Sequence, residues 1–444
     1  MKDNNIETVS FFKVIRNASR ILKNPLPFHN ENFEKYGDVF RVSLGFGNYV
    51  LFTRDAAFAR HMLQKHHRKY HKSELQSKDL AKYIGEGLLT ANGEKWLKQR
   101  RLIQPAFHKK KLEKLVVTIK AVVEEELSRI QPNTTIDVFP LMNDLAFKVV
   151  AKSLFSYSGT TDAISRLQHI TETAQKFLIK EIRQPYKRWW FHLTGEVKRT
   201  LALTQEARDI LNSLIEERRK DNQRYDDLLD MLLDARYEDG SAMDNEQLID
   251  EILILFTAGH ETTSNALTFA LMLLGKHPKI QDKVYQEVVG GEAVNLDPLQ
   301  EITKYQYTKQ CIEETMRLYP PAYFSDRLVI DDDQYKDLDL PKGTTVLISF
   351  FEIHKHKDFW EKPEQFKPER FDPTVDKKEY ANQYFPFGAG PRMCIGNNFA
   401  MYEMVLAISD LVRAYKITPA FDHIEIKPLI TLKPQNALLT FTPR

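Results

Sequence analysis

Apolar residues along this chain follow two rhythms, and the change from one to the other divides it into elements. Over residues 37–54 they alternate singly, with Gly45, Gly47 and Asn48 between the two runs, which predicts a β-hairpin. Residues 55–64 then read as helical, and residues 71–90 as a long irregular loop of the functional kind. A helix is expected to begin at Asn92, and a mostly helical pattern fills 112–222, broken near 131–133 and 184–195. Asp244 to Gln247 resembles a capping box, and the apolar run after it reaches Leu274, with Gly275 and Pro278 as stop signals. That helix would hold about 30 residues and span roughly 45 Å. Residues 248–259 are apolar almost all round, so it should be central and buried. A helix over 310–319 ends at Pro320 and Pro321, and short strands follow over 321–349 with a turn at Pro341 to Gly343. Residues 362–373 are proline-punctuated, 396–415 are helical, and the remainder reads as short strands. The expected fold class is mainly α with small β-sheets (α+β), as one domain over 1–444 whose β-rich part lies near 37–54 and 320–349.

Composition narrows the classes. Among 444 residues, 63 basic and 61 acidic side chains nearly cancel, so no global field marks a nucleic-acid binder. Two cysteines, Cys311 and Cys394, exclude a disulfide framework and favour a reducing, cytoplasmic setting. No window approaches the roughly 20 apolar residues of a membrane span.

The densest chemistry lies at residues 385–396, where Phe387, Gly388, Gly390 and Arg392 precede Cys394 and Gly396 follows it. Glycines let backbone N–H groups approach a sulfur. One thiolate is a poor zinc site, which wants about four ligands, but suffices as the axial ligand of haem iron. Inside the long apolar helix, Ala258, Gly259, His260, Glu261 and Thr262 interrupt the pattern. Two accounts stand: a structural kink with hydroxyls bonded back to the preceding turn, or a notch where a carboxylate and a hydroxyl pass protons to a ligand. His260 lies on another face and reads as an ordinary packed histidine. Trp96 and Arg100 are four apart, as an indole packed on an arginine stem or as two donors to an anionic group. Glu314 and Arg317 can pair, and Arg370 could join them. The basic run at 108–111 is a solvated face or a docking surface, and the aromatic and cationic segment 185–191 a lid packing its own rings or a membrane contact.

Taken in order, Trp96 with Arg100, the 258–262 segment, Glu314 and Arg317 with Arg370, and the loop from Phe387 to Gly396 resemble the cytochrome P-450 family of haem-thiolate monooxygenases, in its stand-alone bacterial form. The resemblance implies a P-450 fold with a long central helix over haem b, Cys394 as the iron's thiolate ligand, and Phe387 and Ala258 beside the cofactor. It further implies that Trp96, Arg100, Arg327 and Arg392 hold the haem propionates, and that Thr262 and Glu261 deliver protons during dioxygen activation. Glu314, Arg317 and Arg370 become a buried structural triad. The pocket would be lined by Tyr83, Phe256, Ala258, Tyr323 and Phe324, suiting a lipophilic substrate such as a fatty acyl or terpenoid and carotenoid chain, with oxidative O-demethylation of a polar compound as another outcome if Lys82, Tyr83 and Tyr323 supply hydrogen bonds. With no room for a fused reductase, electrons would come from a separate ferredoxin or flavodoxin with its reductase, docking near Lys98, Arg101 and Lys109 to Lys111. Two rival classes are an electron-independent haem-thiolate peroxygenase or isomerase, which the Glu261 and Thr262 pair disfavours, and a haem sensor, for which no output element is visible.

Overall fold

The computed structural model describes residues 6–156, 161–221, 223–290, 296–374, 380 and 382–444, so the first five residues of the N-terminal stretch lie outside it. Its strands are β1 (Thr8–Val9), β2 (Val39–Gly45), β3 (Asn48–Thr53), β4 (Tyr70–His71), β5 (Thr135–Asp137), β6 (Phe324–Val329), β7 (Asp333–Tyr335), β8 (Leu338–Leu340), β9 (Thr345–Ser349), β10 (Tyr415–Pro419), β11 (Glu425–Pro428), β12 (Leu432–Gln435) and β13 (Leu438–Pro443). The expected hairpin is β2 and β3, antiparallel, with Phe40 opposite and stacked on Phe52. It sits in a six-stranded sheet ordered β1-β2-β3-β9-β6-β4, in which β3 and β9 run parallel. The sheet β10-β13-β5 and the pairs β11-β12 and β7-β8 complete the β structure among the described residues.

The central helix spans Asn245–Lys276. Asp244 caps it, accepting from the Gln247 N–H at 2.7 Å. The reciprocal half of the capping box does not form. Gln247 instead donates its amide to the Glu86 carbonyl and the Glu251 carboxylate. Gly275 does not stop the helix either: it lies inside it, where a Cβ would already touch Leu439 and Pro419 at 3.5 Å. The stop comes at His277, because Pro278 opens the next helix, Pro278–Val289. Gly259 has a packing reason, since a Cβ there would lie 2.9 Å from Val150 on the adjacent helix Val138–Leu154.

Two segments differ from expectation. Residues 71–90 are not wholly irregular: a π-turn at Leu75–Leu80 and a helical turn at Ala81–Ile84 bury Leu80, Tyr83 and Ile84 against Phe177, Leu178, Phe191 and Ile254. In the 184–195 break, a short helix Arg188–Leu193 buries only Phe191, while Trp189 and Trp190 meet edge to face and remain exposed. No helix among the described residues is long and apolar enough to cross a membrane.

Candidate functional site

The cysteine loop is shaped by its backbone. Gly388 and Gly390 both adopt φ of +71°, a region that disfavours side chains. At Gly390 the constraint is also steric, because a Cβ would lie 1.9 Å from the Leu63 carbonyl oxygen of a neighbouring turn. The Phe385 N–H donates to His354 Nε2 at 2.8 Å, and the Cys394 N–H to the Phe387 carbonyl at 2.9 Å. Arg100 braces the loop by donating to the Met393 carbonyl at 2.9 Å, which leaves its buried Nε without a partner. The helix Asn397–Ala414 begins directly after. Burial pushes the Cys394 thiol up, opposed by the Gly396 N–H and by Arg100. Cys394 keeps open surface, unlike the other cysteine. Cys311 is fully buried in mid-helix.

Near this loop lie three cations that form no ion pair among the described residues. Arg392 donates to the Ala91 carbonyl and to Asn92 Oδ1, and its guanidinium lies 4.2 Å from the Trp96 ring. Arg327 donates to Ser325 Oγ at 2.8 Å and to the Asp326 carbonyl at 2.6 Å. Lys72 donates to the Leu89 carbonyl. The one neighbouring carboxylate, Asp326, is engaged by Ser73 and Gln76. Burial, then Arg327, brings Arg392 down to about 9; burial brings Arg327 to about 10; burial, then both arginines, brings Lys72 well below the ordinary lysine range. Buried unpaired charges are costly, so this cluster fits a ligand carrying two carboxylates, as haem does. Sequence reasoning missed Lys72, which falls in the segment read as a loop; its proximity to Arg392 is set by Asn92, whose side-chain oxygen accepts from the Lys72 N–H and from Arg392.

Above this, the buried central helix is relieved along one stripe. Leu255, Ala258, Gly259 and Thr262, spaced as one helical face, keep partial exposure while most of their neighbours are buried. Thr257 is half-buried as well, and the Gly259 position is filled from the adjacent helix by Val150, so the open part of the stripe is Leu255, Ala258 and Thr262. Thr262 donates its hydroxyl to the Ala258 carbonyl at 2.7 Å, and Thr263 to Gly259 at 2.9 Å, as the kink account expects. Glu261 lies on the flank, where its Oε1 accepts from Thr431 Oγ1 at 2.9 Å and meets Lys433 Nζ at 2.8 Å. His260 is packed as expected, with Nδ1 at the Phe256 carbonyl, its ring edge-on to Phe147, and burial lowering its pKa.

The pocket residues divide. Phe324 keeps partial exposure. Phe256 does not line the stripe: it stacks on Phe147 and Phe155 inside the core, one position too far round the helix. Tyr83 and Tyr323 are buried with their hydroxyls already engaged, on Glu181 at 2.6 Å and on the Leu429 carbonyl at 2.7 Å.

Below, Glu314, Arg317 and Arg370 form one buried network. Arg317 grips Glu314 with two bonds of 2.7 and 2.8 Å and donates to the His354 and Gln365 carbonyls. Arg370 Nε reaches Glu314 at 3.3 Å, and the Lys367 N–H adds a further donor at 3.0 Å. These extra bonds offset the desolvation of the pair. The same His354 that accepts from Phe385 ties this network to the cysteine loop; burial drives it to about 3, so its ring is neutral.

A family model described as Cytochrome P-450 matches residues 10–441. Cytochrome P-450 CYP72A613 of Trigonella foenum-graecum is 31% identical over 380 residues, covering 80% of this chain and 71% of that protein. The pentalenene oxygenase of Streptomyces avermitilis is 27% identical, covering 97% and 94%. The solved structure of retinoic acid bound cyanobacterial CYP120A1 superposes with a TM-score of 0.82 at 26% identity, over 96% of each chain. With the family model matched across nearly the whole chain, and with unpaired cations beside the cysteine loop suited to haem carboxylates, the chain belongs to the cytochrome P-450 family, a monooxygenase carrying haem on a cysteine thiolate.

Proposed function

We propose that this protein inserts one oxygen atom from dioxygen into a medium or large lipophilic compound, a terpenoid or fatty acyl chain being the substrate class. The carrying observation is the engagement of the Tyr83 and Tyr323 hydroxyls, which leaves few groups to read a polar substrate, beside the partly exposed apolar side chains Leu255, Ala258 and Phe324. The names of the pentalenene oxygenase and of the retinoic acid bound relative support that class, and the occupied hydroxyls speak against O-demethylation of a polar compound.

In this reading Cys394 ligates the haem, which when bound supplies the activation of dioxygen. Arg392, Arg327 and Lys72 hold its carboxylates, with the Trp96 ring as a platform for Arg392 and Arg100 holding the loop. Thr262 Oγ1, on the open side of the central helix, orients a proton there, while Glu261, an ionised carboxylate held by Lys433 and Thr431, would relay protons only after leaving that lysine. Glu314, Arg317 and Arg370 serve folding and haem retention. A separate ferredoxin or flavodoxin docks on the exposed rim of Lys98, Arg101 and Lys109 to Lys111, in a cytoplasmic setting.

The reduced carbon monoxide spectrum tests ligation: Cys394→Ser should lose the red-shifted band of a thiolate-ligated haem, and its retention would assign the thiolate elsewhere. A panel of terpenoids, fatty acids and small polar ethers, read by the haem spin-state shift, tests the class. A response confined to the polar ethers would overturn it.

A further inference from the structure

Outside the cofactor region, three potential metal ligands converge on one point. His61 lies in the π-turn His61–Lys65, His66 follows it, and Asp333 opens β7 from the far end of the chain. One ligand atom from each lies within 4.8 Å of the others. Asp333 is the hub: its side chain is 4% exposed, with His61 Nε2 at 2.8 Å from Oδ2 and His66 Nδ1 at 3.7 Å from Oδ1. Tyr70 donates its hydroxyl to Oδ2 at 2.7 Å and so fixes the carboxylate's orientation. A cation already occupies the open side, Lys69 Nζ, 3.0 Å from Oδ1.

We propose that His61, His66 and Asp333 bind a divalent transition-metal ion of the zinc class. Two imidazoles and one carboxylate suit Zn²⁺ with a water as fourth ligand, and do not suit Mg²⁺ or Ca²⁺, which prefer oxygen. Entry of the ion replaces the His61–Asp333 hydrogen bond, the Nε2 proton passing to solvent, and requires two side-chain movements. Lys69 releases the carboxylate and keeps its bond to the Asp332 carbonyl at 2.9 Å. His66, half-buried, turns out of its 4.1 Å stack on His61 so that its nitrogen points to the ion. Ligating carboxylates are held in place by hydrogen bonds of their own, and Tyr70 gives that bond here. The ion would pin the turn whose Leu63 carbonyl packs against Gly390, so it would stiffen one wall of the cysteine loop from outside.

The test is a Zn²⁺ titration of the chelator-treated, haem-loaded protein by calorimetry, with thermal unfolding as a second readout. The expected result is one site whose affinity falls at least tenfold in His66→Ala, with a Zn²⁺-dependent rise in melting temperature lost in the same variant and unaffected by excess Mg²⁺. Asp333→Asn is the second variant, and the haem spectrum of each reports folding. No stoichiometric Zn²⁺ binding by the parent protein, or equal binding by folded His66→Ala, would overturn the site.

Discussion

Lys433 Nζ lies 2.8 Å from Glu261 Oε1, so a lysine on β12 holds the acid of the central helix. Thr431 donates to the same oxygen and is itself held by Asn265. Removing the cation leaves a carboxylate in a buried place with one donor fewer. Lys433→Met should therefore lower stability by about 1–3 kcal/mol, less than a fully buried pair would because Lys433 keeps some solvent contact. Urea unfolding measures this, and Lys433→Arg should recover most of the loss.

Thr262 is the hydroxyl on the open stripe, and Thr263 the one turned into the core. Thr262→Ala should leave haem content unchanged but lower product formed per electron pair several-fold, the remainder appearing as peroxide. Thr262→Ser should restore coupling. Unchanged coupling in the alanine variant would remove Thr262 from the proton path.

Lys72 should reverse its sign with haem loading. In haem-free protein it crowds Arg392 and Arg327, so Lys72→Met should raise the melting temperature. In loaded protein the same variant loses a charge-assisted bond and should release haem about tenfold faster to an acceptor protein. A shift of one sign in both states would show that Lys72 faces no cofactor carboxylate.

Glu251 adds a pH dependence. Burial lifts it from an ordinary 4.5 to about 7, outweighing the Leu88 N–H and Gln247 amide bonds that favour its charged form, with a smaller rise from Asp250. Folded protein keeps this proton to higher pH than unfolded chain does. The contribution to stability is therefore full below about pH 4.5 and is lost as pH climbs to about 7, a change on the order of 3 kcal/mol. Glu251→Gln should flatten that slope in unfolding free energies measured across the window. Parallel curves would sink the assignment.

What could be read from sequence was what local pattern specifies. The β2-β3 hairpin follows from single alternation, the central helix from its apolar run and the Asp244 cap, and the cysteine loop from glycines at positive φ. The partners were not legible where they come from far along the chain. Glu261 finds Lys433 in a late strand, Tyr83 finds Glu181 across the lid, and Gln247 leaves its own capping box for Glu86 and Glu251. The resemblance assigns Phe256 with Ala258 to the pocket, whereas two positions on a helix turn a side chain by about 200°, and Phe256 packs in the core. Lys72 is placed by its N–H bond to Asn92 Oδ1, 20 residues further on, which no local pattern shows.

The engaged hydroxyls of Tyr83 and Tyr323 bear on selectivity. Walls without free donors sort ligands by volume, and one methylene more or less is worth only about 1–3 kcal/mol to such a pocket. In the proposed pocket, a hydroxyl newly installed on the ligand would find Tyr83 and Tyr323 already engaged, neither one holding nor rejecting it. The enzyme's own product would then be accepted almost as readily as its substrate, and successive oxidations of one molecule become the expected course wherever release is slow.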